Sequence, residues 1–170
     1  RLRADLSTRH RFRTHTDTEL LPHLYLERGP AAVEGLRGMF ALAIHDTADG
    51  TLLLARDPIG VKPLYWTRCG DRLLFASELK ALLTDPDVPR ELDLDGVGRY
   101  LALGFVPGEA TVFRAIRKLR PGCRMVVRAG GLRIERYWAW PDFVADPALE
   151  HATLGTLADQ GGERLAASTQ

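Results

Sequence analysis

No stretch of about eighteen consecutive apolar residues occurs, so nothing in the sequence reads as a membrane-spanning helix. Nothing near the start reads as a signal peptide. There are only two cysteines, Cys69 and Cys123. They lack metal-ligand spacing and are too few for a disulfide framework, so a reducing cytoplasm is the expected home. Charge of one sign is also missing: 23 Lys and Arg face 22 Asp and Glu, for a formal net charge of +1. That balance gives no bulk field toward nucleic acid or a membrane surface. Five arginines crowd residues 1–13, and they read as solvated charge around a helix end and an edge strand. No two histidines have ligand spacing on a helix face, so no metal site is expected. There is no Gly-x-Ser-x-Gly and no Cys/His couple. Lys62, beside Gly60 and Pro63, lacks the spaced glycines and the following Ser or Thr of a phosphate loop. No internal repeat is present.

What is present is ordinary in bulk and specific in pattern. Hydrophobic content is 45% and charged content 26%, as in a soluble globular domain. A chain of 170 residues buries roughly 70% of its unfolded surface. The organising stretch runs from Arg37 to Leu83. Four apolar runs, Met39–Ile44, Leu52–Ala55, Leu64–Trp66 and Leu73–Ala76, alternate with turn signals such as Asp49-Gly50 and Gly70-Asp71. Short runs closed by such turns read as consecutive antiparallel strands. Two of the runs are apolar throughout, which a half-exposed strand is not. The sheet is therefore expected to be covered on both faces, by a second sheet and by helices. Leu42, Ile44, Leu53, Leu54, Leu74 and Phe75 are expected to be nearly fully buried.

Upstream, Thr16 and Glu19 have capping-box spacing ahead of an apolar helical run, so Thr16 reads as an N-cap with Asp17 in the first turn. Pro22 disturbs this reading, because a helix capped at Thr16 would place it too deep. A later start leaves Asp17 in the preceding loop, free to face a ligand. Residues 30–36 read as a second short helix. Arg56-Asp57-Pro58-Ile59-Gly60 ends a buried strand with adjacent charges that need partners, and a braced loop is favoured over direct chemistry. Ser77 reads as the cap of a helix over residues 78–83. Leu92–Gly104 reads as a helix with Leu94, Val97 and Leu101 on one face and Gly104 as its C-cap. Arg124–Arg128 and Arg133–Trp138 read as a late hairpin across Gly130-Gly131. Residues 142–170 show no strong periodicity, and Gly161-Gly162 suggests a frayed tail.

Five ordered motifs carry a resemblance: Thr-His-Thr-Asp-Thr-Glu (14–19), Gly-Met-Phe-Ala (38–41), Ala-Arg-Asp-Pro-Ile-Gly-Val-Lys-Pro-Leu-Tyr-Trp (55–66), Phe-Ala-Ser-Glu-Leu-Lys-Ala-Leu (75–82) and Lys-Leu-Arg-Pro-Gly (118–122). Over residues 1–140 the chain resembles the N-terminal glutaminase domain, a class II glutamine amidotransferase, of glutamine-hydrolysing asparagine synthetases. Residues 141–170 are expected to be a linker and divergent tail. The resemblance implies an α+β fold of the N-terminal-nucleophile hydrolase type: an incomplete sandwich of two stacked antiparallel sheets between helix layers. In that family an N-terminal Cys attacks the glutamine side-chain amide, and its α-amino group is the base. An Asn and a Gly amide form the oxyanion hole. No residue here matches the nucleophile or these donors, which are expected upstream of Arg1, since the chain starts with Arg and reads as a piece of something longer. Alone it is expected not to hydrolyse glutamine. No catalytic residue is therefore assigned. The resemblance implies that Asp17, with Thr16, binds glutamine through its α-ammonium, and places Arg56, Asp57, Gly60, Ser77 and Glu78 as structural residues near the site. It implies no cofactor in this chain, ATP and Mg in a synthetase domain, and glutamine and that domain as partners. It implies no nucleic-acid or membrane partner and leaves a homodimer open. The alternatives are a degenerate, non-catalytic binding module, or the glutaminase domain of another class II enzyme such as the phosphoribosyl amidotransferase of purine synthesis.

Overall fold

The computed structural model describes residues 2–140, 149 and 152–168. The chain divides into two compact units, Arg1–Ala139 and Trp140–Gln170.

The first unit is built on two antiparallel sheets. Strands β1 (Ala41–His45), β2 (Leu52–Arg56), β6 (Cys123–Arg128) and β7 (Gly131–Arg136) form one, in the order β1-β2-β6-β7. Strands β3 (Tyr65–Cys69), β4 (Arg72–Ala76) and β5 (Arg117–Lys118) form the other, in the order β4-β3-β5. The expected hairpins are present, with Ala41 opposite Arg56 and Tyr65 opposite Ala76. They do not continue into a single sheet, however. The loop after Arg56 carries the chain from the first sheet to the second.

The apolar run of β2 follows from this stacking. Successive side chains of a strand point to opposite faces. Leu53 and Ala55 join Leu24 of helix α2 (Leu20–Arg28) and Val33 of a 3-10 helix (Gly29–Gly35) in one core. Leu54 joins Leu64, Leu119 and Met125 in a second core, against which Trp66 and Leu73 of the other sheet pack. A third core, Leu82, Val88 and Ile116, covers the far face of the second sheet, with Leu74 and Ala76 packed on it. Helix α1 (Leu2–Leu6) adds the fully buried Leu6 to the first core. The layers thus run helix, sheet, sheet, helix, as expected.

Full burial of all six marker residues is not found. Leu53 and Leu54 are fully buried, but Leu42, Ile44 and Leu74 are only partly so, and Phe75 is 38% exposed. The reason is position in the sheet. β1 and β4 are edge strands, and an edge residue is covered from one side only.

Three helices also differ from expectation. Helix α3 is only Leu79–Leu82; its N-cap is Glu78 and no side chain caps it, so Ser77 lies one residue too early. Helix α4 (Leu94–Leu103) is capped by Asp93, whose carboxylate accepts from the amides of Asp95 (3.1 Å) and Gly96 (3.3 Å). Its apolar face is not buried: Leu94 and Leu101 are 72% and 78% exposed. In the second unit, Leu154–Ser168 form helix α5 where a frayed tail was expected. The Thr153 hydroxyl accepts from the Thr156 amide at 3.2 Å, an N-cap bond that offsets part of the cost of Gly161 and Gly162. The expected linker over residues 141–148 lies outside the described residues.

Candidate functional site

The loop between β2 and β3 is braced by the two charges that end β2. The Arg56 guanidinium donates to three carbonyls: Lys62 O (2.8 Å), Leu119 O (2.8 Å) and Gly60 O (2.7 Å). Burial lowers the Arg56 pKa, opposed by the charge of Asp57. Asp57 is 1% exposed. Its carboxylate accepts from the amides of Ile59 (3.2 Å), Gly60 (2.7 Å), Val61 (3.0 Å) and Lys62 (3.0 Å). Burial pushes its pKa up, but the amides of Lys62, Val61 and Gly60 outweigh this and hold it below the ordinary value. The Tyr137 hydroxyl donates to Arg56 O at 2.7 Å, and burial, then the charge of Asp57, raises its pKa.

Gly60 has a reason of its own. Its φ is +75°, and a Cβ there would lie 2.6 Å from Pro121 Cγ. Both partners' charges are thus spent on backbone groups. The braced-loop reading of Arg56, Asp57 and Gly60 holds, and neither charge is free for chemistry. Leu119 N donates to Leu64 O, so this loop meets the start of β3, where Tyr65 pairs with Ala76. Ser77 and Glu78 follow Ala76 at the same end. Glu78 pairs there with Lys80 at 2.7 Å.

Asp17 sits elsewhere, in a 3-10 turn (Asp17–Glu19) just before α2. The helix starts after Thr16, which accommodates Pro22 in its first turn. The expected capping box does not form. Thr16 is extended and its side chain caps nothing. The Glu19 carboxylate instead turns back to accept from Arg13 N (2.7 Å), Thr14 N (2.7 Å) and the Thr14 hydroxyl (2.6 Å). Those bonds, the Thr14 hydroxyl first, pull its pKa down to about 2. From the other side Arg3 donates to Thr14 O (2.9 Å) and Thr16 O (2.5 Å), while its guanidinium lies 4.5 Å from the centroid of Phe12. The loop is therefore fixed at both ends. The Asp17 carboxylate it presents is exposed and has no hydrogen-bond or ion-pair partner among the described residues.

Glu19 and Arg3 were missed as loop organisers. The signal was Thr14, a second acceptor and donor two residues before Thr16, which competes for Glu19. Among the described residues no hydrogen bond or ion pair joins the Asp17 loop to the Arg56–Gly60 loop. Cys69 ends β3 and Cys123 is buried in the core between the sheets; both are free thiols. No group of three or more His, Cys, Asp or Glu that could hold a metal occurs among the described residues.

The layered fold is that of the N-terminal-nucleophile amidotransferases. A solved glutamine phosphoribosylpyrophosphate amidotransferase from B. subtilis, complexed with ADP and GMP, superposes with a TM-score of 0.54 at 27% identity, over 81% of this chain and 26% of that one. The profile of the glutamine amidotransferase domain matches residues 1–138, and the chain belongs to that family. It is 39% identical over 140 residues to asparagine synthetase [glutamine-hydrolyzing] 3 of Bacillus subtilis, covering 81% of this chain and 23% of that protein. A putative asparagine synthetase [glutamine-hydrolyzing] of Mycobacterium tuberculosis is 37% identical over 153 residues, 86% of this chain and 23% of that protein. The chain thus spans under a quarter of the length of these two relatives.

Proposed function

We propose that this chain is the glutaminase domain of a glutamine-hydrolysing asparagine synthetase. The observation that carries the reading is the 39% identity to such an enzyme over 81% of the chain. In this reading, glutamine is hydrolysed here and the ammonia passes to a synthetase domain that uses ATP and Mg to activate aspartate. No residue of this chain is assigned to ATP or Mg. The enzyme is cytoplasmic in this reading, which suits two unpaired cysteines.

The role of this chain in the proposed reaction is binding. An exposed carboxylate, unpartnered among the described residues, on a loop fixed by Glu19 and Arg3 suits an ammonium ligand. Asp17 is assigned to the α-ammonium of glutamine, and Thr16 to shaping the loop beside it. Neither Cys69 nor Cys123 has a free α-amino group, so neither is assigned as nucleophile.

The test is Asp17→Ala in the complete protein, assayed for asparagine formation from aspartate and ATP. With glutamine seated on it in the complete protein the Asp17 carboxylate leaves water, and losing one partner of such a charge pair costs roughly 2–5 kcal/mol. Glutamine-dependent kcat/KM should fall about 30- to several-thousand-fold, while ammonia-dependent synthesis is spared. Equal loss of both activities would make Asp17 a purely structural residue. No glutamine hydrolysis by the complete protein would favour a non-catalytic module instead.

A further inference from the structure

A groove of about 580 Å³ opens on the first sheet, away from the Asp17 loop in sequence, between the Gly29–Gly35 helix and the β6–β7 hairpin. Its volume is that of a small-molecule site. Four arginines line it, Arg28, Arg124, Arg128 and Arg133, against a single carboxylate, Glu135.

The five charged groups are not equivalent. Arg124 is largely buried and fully engaged. Its Nε and Nη2 donate to Glu135 Oε2 at 3.0 and 2.9 Å, and its Nη1 to Pro30 O (2.9 Å) and Glu34 Oε1 (2.8 Å). It ties β6 to β7 and to the helix, and so builds the wall. The other oxygen of Glu135 takes Arg133 Nε at 2.7 Å. The one lining carboxylate is therefore neutralised on both oxygens.

Arg28 and Arg128 are different. Among the described residues the Arg28 guanidinium has no hydrogen-bond or ion-pair partner. Arg128 donates only through Nε, to the Thr51 hydroxyl at 3.1 Å, which leaves both of its terminal nitrogens without a partner among the described residues. Asp49 lies beyond Thr51; the Thr51 hydroxyl and amide, then the Arg128 charge, keep its carboxyl low. That carboxylate tempers Arg128 without occupying its terminal nitrogens. Between the arginines the lining is apolar, from Pro30, Ala31 and Val126, and the hairpin rim is Gly130-Gly131, without side chains.

Guanidinium forks match the oxygens of phosphate in pairs, and they are the donors that such anions select. We propose that this groove binds a small organic phosphate: the phosphate on Arg28 and Arg128, the organic part against Pro30 and Val126. Neither the Asp17 loop nor the Arg56 brace takes part, so the site is independent of the glutaminase reading.

The test is calorimetric titration of the chain with phenyl phosphate and with inorganic pyrophosphate. Expected is saturable binding of one equivalent of each. Arg28→Ala and Arg128→Ala, both at exposed positions, should each weaken it roughly tenfold. Arg99→Ala, which removes an exposed charge from α4 outside the groove, should leave it unchanged. Equal weakening by all three variants would reduce the effect to net charge and overturn the proposal. So would the absence of saturable binding at millimolar probe. Citrate competing as well as pyrophosphate would remove the phosphate assignment, and a heparin oligosaccharide binding more tightly than either probe would assign the groove to an extended polyanion.

Discussion

At Asp57 one carboxylate replaces the ladder that the loop between β2 and β3, residues 57–64, lacks. Four amides converge on it at 2.7–3.2 Å, in a site sealed from water. Asp57→Asn keeps the size but turns one acceptor into a donor aimed at amides. The expected loss is roughly 3 kcal/mol, or about 6–12 °C in Tm for a body of this size. A loss under about 1 kcal/mol in thermal unfolding would mean that water reaches the loop and replaces the carboxylate. Glu19 gives a pH signature instead. Its pKa drops from an ordinary 4.5 to about 2 on folding. A lowered carboxylate contributes stability that is complete above the unfolded value and is lost as pH falls through the folded one. The Tm gap between the native chain and Glu19→Gln should be widest above about pH 4.5 and should close toward pH 2. A gap that stays constant across that window would show that the loop does not depend on the Glu19 charge. At this scale the sequence was readable in part. Arg56 and Asp57 announced a need for partners, because buried charges always have one. Their partners are backbone groups, and no residue pattern encodes those. Glu19 was misassigned because two threonines, Thr14 and Thr16, stood within its reach and spacing favoured the wrong one.

At the scale of elements, strand existence was legible and strand membership was not. The turns at Asp49-Gly50 and Gly70-Asp71 mark both hairpins, since each Gly takes a positive φ, 71° and 59°. Nothing local says that the Arg56–Gly60 loop crosses from one sheet to the other. Helix α4 shows the converse. Its periodicity is real, yet Leu94 and Leu101 remain open to solvent, because an amphipathic pattern states that a face is apolar and not what covers it. Helix α5 was missed because two adjacent glycines outweighed its Ala, Leu, Gln and Glu content. Two substitutions separate local preference from packing in α4. Asp93→Ala removes the cap and should cost about 1 kcal/mol. Gly96→Ala improves helix propensity by about 1 kcal/mol, but its Cβ would lie 2.3 Å from Thr111 O. Gly96→Ala should therefore destabilise more than Asp93→Ala in chemical denaturation. If it stabilises, α4 is not held against residue 111 in solution.

For the whole molecule, the question is how much of the sandwich each sheet face carries. Leu54 points between the sheets and is fully buried, beside Leu64, Leu119 and Met125. Phe75 points to the same side from the edge strand β4 but is 38% exposed. Leu54→Ala removes buried methyl groups and leaves a cavity at the centre of the inter-sheet core, at a cost of roughly 2–5 kcal/mol. Phe75→Ala deletes a larger side chain. At full burial it would cost about 3–5 kcal/mol. At an open edge, where the neighbours can close in and water already touches the ring, it should cost about 1 kcal/mol. The ranking of the two variants therefore reports coverage and not side-chain size. It should be read by urea unfolding of the purified chain at two protein concentrations. Leu54→Ala should lower the midpoint far more than Phe75→Ala, and neither shift should depend on concentration. A Phe75→Ala loss as large as that of Leu54→Ala would show that the outer part of β4 is covered in solution, and concentration dependence would assign the cover to a second copy of the chain.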